Sequence, residues 1–278
     1  MTDATHPDTL PNAHAGERVA YAEGALLTAQ DFLAEQDYHR GRLGRVLAYL
    51  HGAGTVAGLD VSVEPVRGET AEVRVSPGLA VDRLGRLVEL ERTSCLRLAR
   101  WLDQQPESDV AAALDGDVVV VDVFVRFHAC PGSLQPAFAT GNMDTLDAAA
   151  PSRVRDHAAL SALLRPAGEA PLPRATVAPG GSDAAALQRF KREDLWNLLQ
   201  LREGRERDGR LLALGPEHVF GLHDGTELLL ARLTVPAVVD AGAGRPRLDP
   251  GRDVAVDNDV RLYSYGNAEL ALLAGLER

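Results

Sequence analysis

The run Val118-Val-Val-Val-Asp-Val-Phe-Val125 constrains the fold more than any other segment. A near-continuous apolar stretch of β-branched residues has no wet side, so Asp117 to Phe127 reads as a strand buried on both faces. The chain of 278 residues is 45% hydrophobic, enough for one large core or two modest ones.

Upstream, the clearest helix is announced by Thr28 and Asp31, a T-x-x-D capping box whose side chains satisfy first-turn N–H groups. The helix is predicted from Ala29 to about Leu50. Phe32 reads as core, and Leu43, Val46, Leu47 and Leu50 form a stripe predicted to be buried. Gly41 and Gly44 each weaken a helix by roughly 1 kcal/mol relative to alanine, which points to close approach by another backbone, such as a neighbouring helix. Gly52 and Gly54 end it.

From Gly54 the apolar period changes to two. Arg18 to Gly24, Thr55 to Glu64, Ala71 to Ser76, Leu79 to Val81 and Leu87 to Leu90 are predicted strands. The last two pair around Asp82-Arg-Leu-Gly-Arg86 in an antiparallel meander. Leu96 to Leu102 is either a short strand or one helical turn. Ala129 to Thr145 reads as a surface loop, Ser152 to Leu164 as a strand or short helix, and Arg165 to Asp183 as a Pro/Gly linker. Ala184 to Leu201 is predicted helical. Leu222-His-Asp-Gly225 reads as a hairpin turn before the buried strand Leu228 to Val235. Val254 to Asp259 is extended, and a last helix falls near Asn267 to Leu276.

The expected fold is thus a β-rich α+β protein, an antiparallel meander or sandwich with one long N-terminal helix and a smaller β-containing C-terminal portion. The expected organisation is a flexible arm over 1–17, a helix plus β-rich module over 18–128, loops and linker over 129–183, and a helix plus β portion over 184–278. Whether the two β portions share one domain is open at this level.

Charge narrows the partners. There are 29 Lys+Arg against 40 Asp+Glu, a formal net charge of −11. That balance argues against a nucleic-acid binder, which needs clustered cations, and against docking on an anionic membrane. Met1 to Gly16 has no apolar h-region and no run of about 18 apolar residues occurs, so the expectation is a chain made in the cytoplasm with no membrane insertion.

Chemistry is hard to find. Lys191 is the only lysine and there is no phosphate-loop motif. Gly52, Gly54 and Gly58 follow a helix and precede a strand, the reverse of the phosphate-cradling order. There is no G-x-S-x-G elbow. His39 is i+4 from Glu35 without further ligands at metal spacing, and His128 with Cys130 lacks a second pair. His218 and His223 read as loop polar residues, and Cys95 and Cys130 as buried free thiols. No catalytic, cofactor or metal residue is therefore expected, and no cofactor.

What remains is a surface. Tyr38, Arg42, Arg45 and Tyr49 share a face of the first helix. Tyr and Arg together are favoured at protein interfaces, and the alternative is a solvated face with half-buried tyrosines.

Three segments carry a resemblance. They are Tyr21-Ala-Glu-Gly-Ala-Leu-Leu-Thr-Ala-Gln-Asp-Phe-Leu-Ala-Glu-Gln-Asp-Tyr38, Leu50-His-Gly-Ala-Gly-Thr-Val-Ala-Gly-Leu59 and Val75-Ser-Pro-Gly-Leu-Ala-Val-Asp-Arg-Leu-Gly-Arg86. Together they resemble a family encoded among the genes of phage-tail-like contractile injection systems. Its pattern is LLTxxDFxxEQxY, LHGxGVVxGL and PGxAxDxxGR. The opening is more distantly similar to the N-terminal, shoulder-like segment of the type VI secretion baseplate subunit. Leu228-Leu-Leu-Ala-Arg-Leu and Val256-Asp-Asn-Asp-Val-Arg261 echo later family segments, whereas His128-Ala-Cys130 replaces a common Tyr-x-Glu-Cys.

The resemblance implies a non-enzymatic structural component of a contractile particle, in the baseplate region or as an adaptor. Its implied partners are other subunits of that particle (baseplate, sheath or tube proteins), in a homo- or hetero-oligomer. It would be part of a cytoplasmic or lysis-released particle. The alternative is a carbohydrate- or receptor-binding module at the tip or fibre, with Trp101, Trp196, Tyr263 and Tyr265 as stacking residues. An enzyme would need a cleft of acids with perturbed pKa values.

Overall fold

The computed structural model describes residues 17–66, 70–136, 149–168, 192, 217–219, 222–223, 225–239 and 245–275. Helix α1 spans Ala29–Leu50, the predicted bounds. It is followed by β1 (Gly54–Gly58), β2 (Val61–Val66), β3 (Thr70–Val75), β4 (Gly78–Val81), β5 (Leu87–Leu90) and β6 (Ser94–Arg97). Helices α2 (Leu98–Asp103) and α3 (Glu107–Ala113) come next, then β7 (Leu114–Asp115), β8 (Val118–Pro136) and β9 (Ala149–Arg165). The chain closes with β10 (Leu228–Val239), β11 (Pro246–Leu248), β12 (Ala255–Asp257) and α4 (Asn267–Leu273). All pairs of the strands named above are antiparallel, and with few helices beside them the fold is β-rich α+β.

Three sheets are present among the described residues: β1-β4-β5, β2-β3-β6, and a six-stranded sheet built around β8. Strand β10 pairs with β8 from Leu228 opposite Val125 to Pro236 opposite Val118, so the C-terminal β portion is part of the same sheet as the first half. The β4–β5 meander forms as predicted, with Leu79 opposite Glu89 and Val81 opposite Leu87.

Strand β8 is buried on both faces over residues 121–125, the centre of its apolar run, whereas Arg126 is exposed and the residues from 128 onward are half-buried or exposed. Val119, Val121, Val123 and Val125 enter a core with Leu230, Leu233 and Val235 of β10 and with Leu59, Val61, Val73 and Val75 from the β1–β3 region. Phe124 points the other way, against Leu229 and Val260. Each fully buried Val or Leu of this kind is worth about 1.5–3 kcal/mol.

Several segments depart from their sequence expectation. Residues 129–136 are not loop: β8 continues through them, paired to β9 as far as Pro136 opposite Ala149. Pro131 and Pro136 are tolerated because β10 no longer borders β8 beyond Val125, and among the described residues no other strand takes its place; an edge accepts a residue without an N–H. Ser152 to Leu164, read as a strand or short helix, is strand: it lies within β9, the other arm of this hairpin, which runs on through Arg165, the first residue assigned to the linker. Thr55 to Glu64 is two strands, because Leu59 takes a left-handed backbone (φ 57°) and bends the chain. Leu96 to Leu102 is the end of a strand followed by a helix. Residues 18–24 form no strand; the Ala25 N–H closes a turn on the Ala22 carbonyl at 3.1 Å. The predicted arm up to Gly16 and the helix over 184–201, except Arg192, lie outside the described residues.

The C-terminal segment clamps the Leu59 bend. Asn258 accepts from the Val61 N–H at 3.0 Å and donates to its carbonyl at 2.9 Å. Arg261 donates to the Leu59 carbonyl at 2.9 Å. Beside it, Thr55 and the 262–264 backbone exchange bonds of 2.8 and 2.9 Å. Gly54 permits that crossing, since a Cβ there would stand 2.7 Å from the Tyr263 carbonyl carbon.

Candidate protein–protein interface

Helix α1 starts where its cap dictates. The Asp31 carboxylate accepts from the Thr28 N–H at 2.7 Å and from the Thr28 hydroxyl at 2.8 Å. Those bonds, the backbone one first, hold the Asp31 carboxyl below the usual carboxylate range.

The helix rests on the rest of the molecule through its glycines. Gly41 and Gly44 are its buried residues. The approaching backbone is a turn, not a helix: it is the Asp82–Arg86 connection. A Cβ on Gly85 would lie 1.8 Å from the Gly44 carbonyl oxygen. The turn is rigid because buried Asp82 accepts from the Leu84 and Arg86 N–H groups, both at 2.9 Å, and from Arg86 Nε at 2.6 Å. Burial raises the Asp82 carboxyl pKa, against the pull of Arg86 and these N–H groups. The Arg86 guanidinium lies 4.7 Å from the centroid of the Phe127 ring, which ties the turn to β8.

Docking by glycines reverses the expected orientation of α1. Leu43, Val46 and Leu50, predicted to be buried, are 58%, 50% and 74% exposed, and Phe32 is 51% exposed. At about 100° per residue these four share one stripe, nearly opposite the glycine face. The periodicity was correctly a helical stripe; the side it faces was not readable, because glycine gives no apolar signal yet allows the closest approach.

A third face carries Tyr38, Arg42, Arg45 and Tyr49. The Arg42 guanidinium sits 5.3 Å from the Tyr38 ring centroid and Arg45 sits 5.4 Å from that of Tyr49. Arg45 also donates to the Tyr49 hydroxyl at 3.3 Å. Both are i, i+4 pairs, so the arginines are laid flat along the helix and the tyrosines are half-buried. Aromatic rings and guanidinium groups held this way lose little freedom on binding.

The other candidates fall differently. His39 and Glu35 are 3.9 Å apart on the surface of α1. Among the described residues no group of three or more His, Cys, Asp or Glu is placed to hold a metal. His218 lies outside helix and strand, as expected, but is buried: its Nε2 is 2.8 Å from the Glu227 carbonyl, and its ring stacks on Phe124. The His223 ring centroid lies 4.6 Å from that of Phe124. The cysteines are free but not buried, Cys95 being exposed and Cys130 half-buried. Trp101 packs on the core, Trp196 lies outside the described residues, and Tyr263 and Tyr265 form a half-exposed pair with centroids 6.1 Å apart.

One buried polar cluster was missed. Asp122, inside the apolar run, is fully buried and accepts from Arg165 Nε at 2.7 Å and from Arg232 Nε and Nη2 at 2.7 and 2.9 Å. Arg165 donates onward to the Glu217 carbonyl, and Arg83 bonds the Glu217 carboxylate at 3.0 Å. A lone acid in a run of valines was the available signal, since a buried carboxylate must be paired. The cluster ties Glu217 to the sheet, with Glu217 Oε2 left without a hydrogen-bond partner among the described residues.

No protein-family model and no curated protein matches the chain. No helix among the described residues is long and apolar enough to cross a membrane.

Proposed function

We propose that this chain is a non-enzymatic assembly component of a phage-tail-like contractile injection particle, a baseplate-region subunit or adaptor that binds other subunits through α1. The observation carrying the reading is that α1 is docked by its glycines and turns its apolar stripe outward, next to a Tyr/Arg face in which Arg42 is exposed and Tyr38, Arg45 and Tyr49 are half-buried. A 22-residue helix in water draws most of its stability from packing an amphipathic face, and here Phe32, Leu43, Val46 and Leu50 of that face are left exposed by the described residues. Membership of a contractile particle rests on the resemblance of residues 21–86.

The test is co-purification. The full chain, tagged and co-expressed with the tube, sheath and baseplate subunits of its own gene neighbourhood, should retain at least one of them. A Tyr38→Ala/Arg42→Ser/Arg45→Ser/Tyr49→Ala variant, or a stripe variant, should lose it. Retention of none by the wild-type chain would refute the reading. The carbohydrate-binding alternative has the Tyr263–Tyr265 pair in its favour, and glycan binding lost in Tyr263→Ala would select it.

A further inference from the structure

Past Val125 the β8–β9 hairpin runs on as a two-stranded ribbon whose faces differ in charge. Side chains directly opposite each other in an antiparallel pair share a face. The register sets His128 opposite His157 and Cys130 opposite Arg155, so these share a face with Arg126 and Arg153, each two positions along its own strand. The other face carries Phe127 and Asp156, which line one cavity with Gly85 and Leu87. Arg126, Arg153, Arg155 and His157 are exposed. Among the described residues none of these three arginines has a hydrogen bond or ion pair. No carboxylate stands on their face from 126 to 132 or from 153 to 159. A chain with 40 acidic and 29 basic residues has thus gathered one sign on one surface. The same surface borders an open edge. Strand β8 is the only strand paired to β9 among the described residues, and positions 151–157 of β9 are all exposed.

We infer that the edge of β9 over 151–157 receives an added strand from a protein partner, with carboxylates at alternate positions beside Arg153 and Arg155. This surface is separate from α1 and does not depend on the role proposed for that helix. An edge strand offers outward N–H and C=O groups to any extended segment, and its alternate side chains select which one. Arg153 and Arg155 lie about 6.6–6.8 Å apart along the strand, the repeat at which an added strand presents every second side chain. An Asp or Glu at each of those positions stands directly across from a guanidinium group. Val154 lies between them on the other face and is 65% exposed, so the residue between the two acids is apolar. A second copy pairing edge to edge is opposed, because it sets Arg155 against Arg155 and Arg153 against His157. A nucleic acid fits less well. The cationic face has no Phe, Tyr or Trp on which bases could stack, and a net charge of −11 repels a polyanion at longer range.

The experiment is fluorescence-anisotropy titration of the full chain into a labelled peptide, Ser-Glu-Val-Glu-Val-Glu-Ser, and into its lysine counterpart, Ser-Lys-Val-Lys-Val-Lys-Ser. Amide hydrogen exchange is followed on the same mixtures. Wild type should bind the acidic peptide about tenfold more tightly than the lysine one, and added salt should weaken the acidic complex. Arg153→Glu/Arg155→Glu, at exposed positions and so with an unchanged circular-dichroism spectrum, should weaken the acidic peptide about tenfold or more and now favour the lysine peptide. Exchange should slow at 151–157 in the bound chain. No binding of the acidic peptide at about 1 mM overturns the inference, as does binding that survives the double variant. Binding without slowed exchange at 151–157 overturns strand addition. A thymidine oligonucleotide or a phosphatidylserine vesicle that binds more tightly than the peptide, and is lost in the same variant, overturns a protein partner in favour of a phosphate one. None of these readouts depends on whether α1 captures a subunit, so this inference and the proposed role of α1 fail separately.

Discussion

Replacing Gly85 by alanine tests how α1 is held. Gly85 has φ +79°, and the added Cβ would lie 1.8 Å from the Gly44 oxygen, 2.5 Å from its carbonyl carbon and 2.7 Å from its Cα. All three atoms are backbone, so no side chain can swing away. Two costs add. A left-handed backbone with a Cβ costs about 1–2 kcal/mol, and overpacking a rigid contact costs about 1–3 kcal/mol more. Gly116→Ala is the control: its φ is +62°, yet nothing lies within 4 Å of the added Cβ. Both variants gain the same small unfolded-state benefit, which cancels in the comparison. Urea unfolding should therefore show Gly85→Ala less stable than Gly116→Ala by about 1–3 kcal/mol. Hydrogen exchange should show α1 losing protection only in Gly85→Ala. Equal stability and equal protection would refute the account of α1 as a helix docked through Gly44.

Asp122→Ala leaves Arg165 and Arg232 facing each other without their carboxylate and should cost about 3–5 kcal/mol in denaturant unfolding. Asn258→Ala removes both bonds to the Val61 backbone and should cost about 1–3 kcal/mol, with exchange protection lost first at Val61. The lowered Asp31 carboxyl contributes helix stability above the usual carboxylate pKa, and that contribution should disappear as pH falls through its folded-state value; carboxyl NMR titration of Asp31 with and without Thr28→Ala measures it. A native thiol-labelling reaction should reach both Cys95 and Cys130 without denaturant.

How much of this was legible depends on whether the signal is local. The T-x-x-D cap, the β4–β5 meander and the doubly buried β8 were readable because each is set by residues close in sequence. Capping bonds span three positions, and an all-apolar strand carries its own burial statement. The hairpin beyond Val125 was misread because Pro131, Gly132 and Pro136 are loop-formers wherever a strand has two bonded edges. Only the absence of β10 there makes them compatible with a strand. The Tyr/Arg face of α1 could be selected by residue type, whereas its two cation–π pairs needed the helix geometry to be recognised.

The sequence by itself determined that α1 is a helix with one apolar stripe, where it begins and ends, and that the chain is acidic and β-rich. Those properties follow from backbone capping, side-chain periodicity and charge. Only the tertiary structure decided which way the stripe faces. Burial is a contest between surfaces, and the winner here was the face of the buried Gly41 and Gly44, where the missing side chain of Gly44 lets the backbone of the Gly85 turn come closer to the helix than any leucine could allow. The same contest turned Leu43, Val46 and Leu50 outward, from the expected core to the surface.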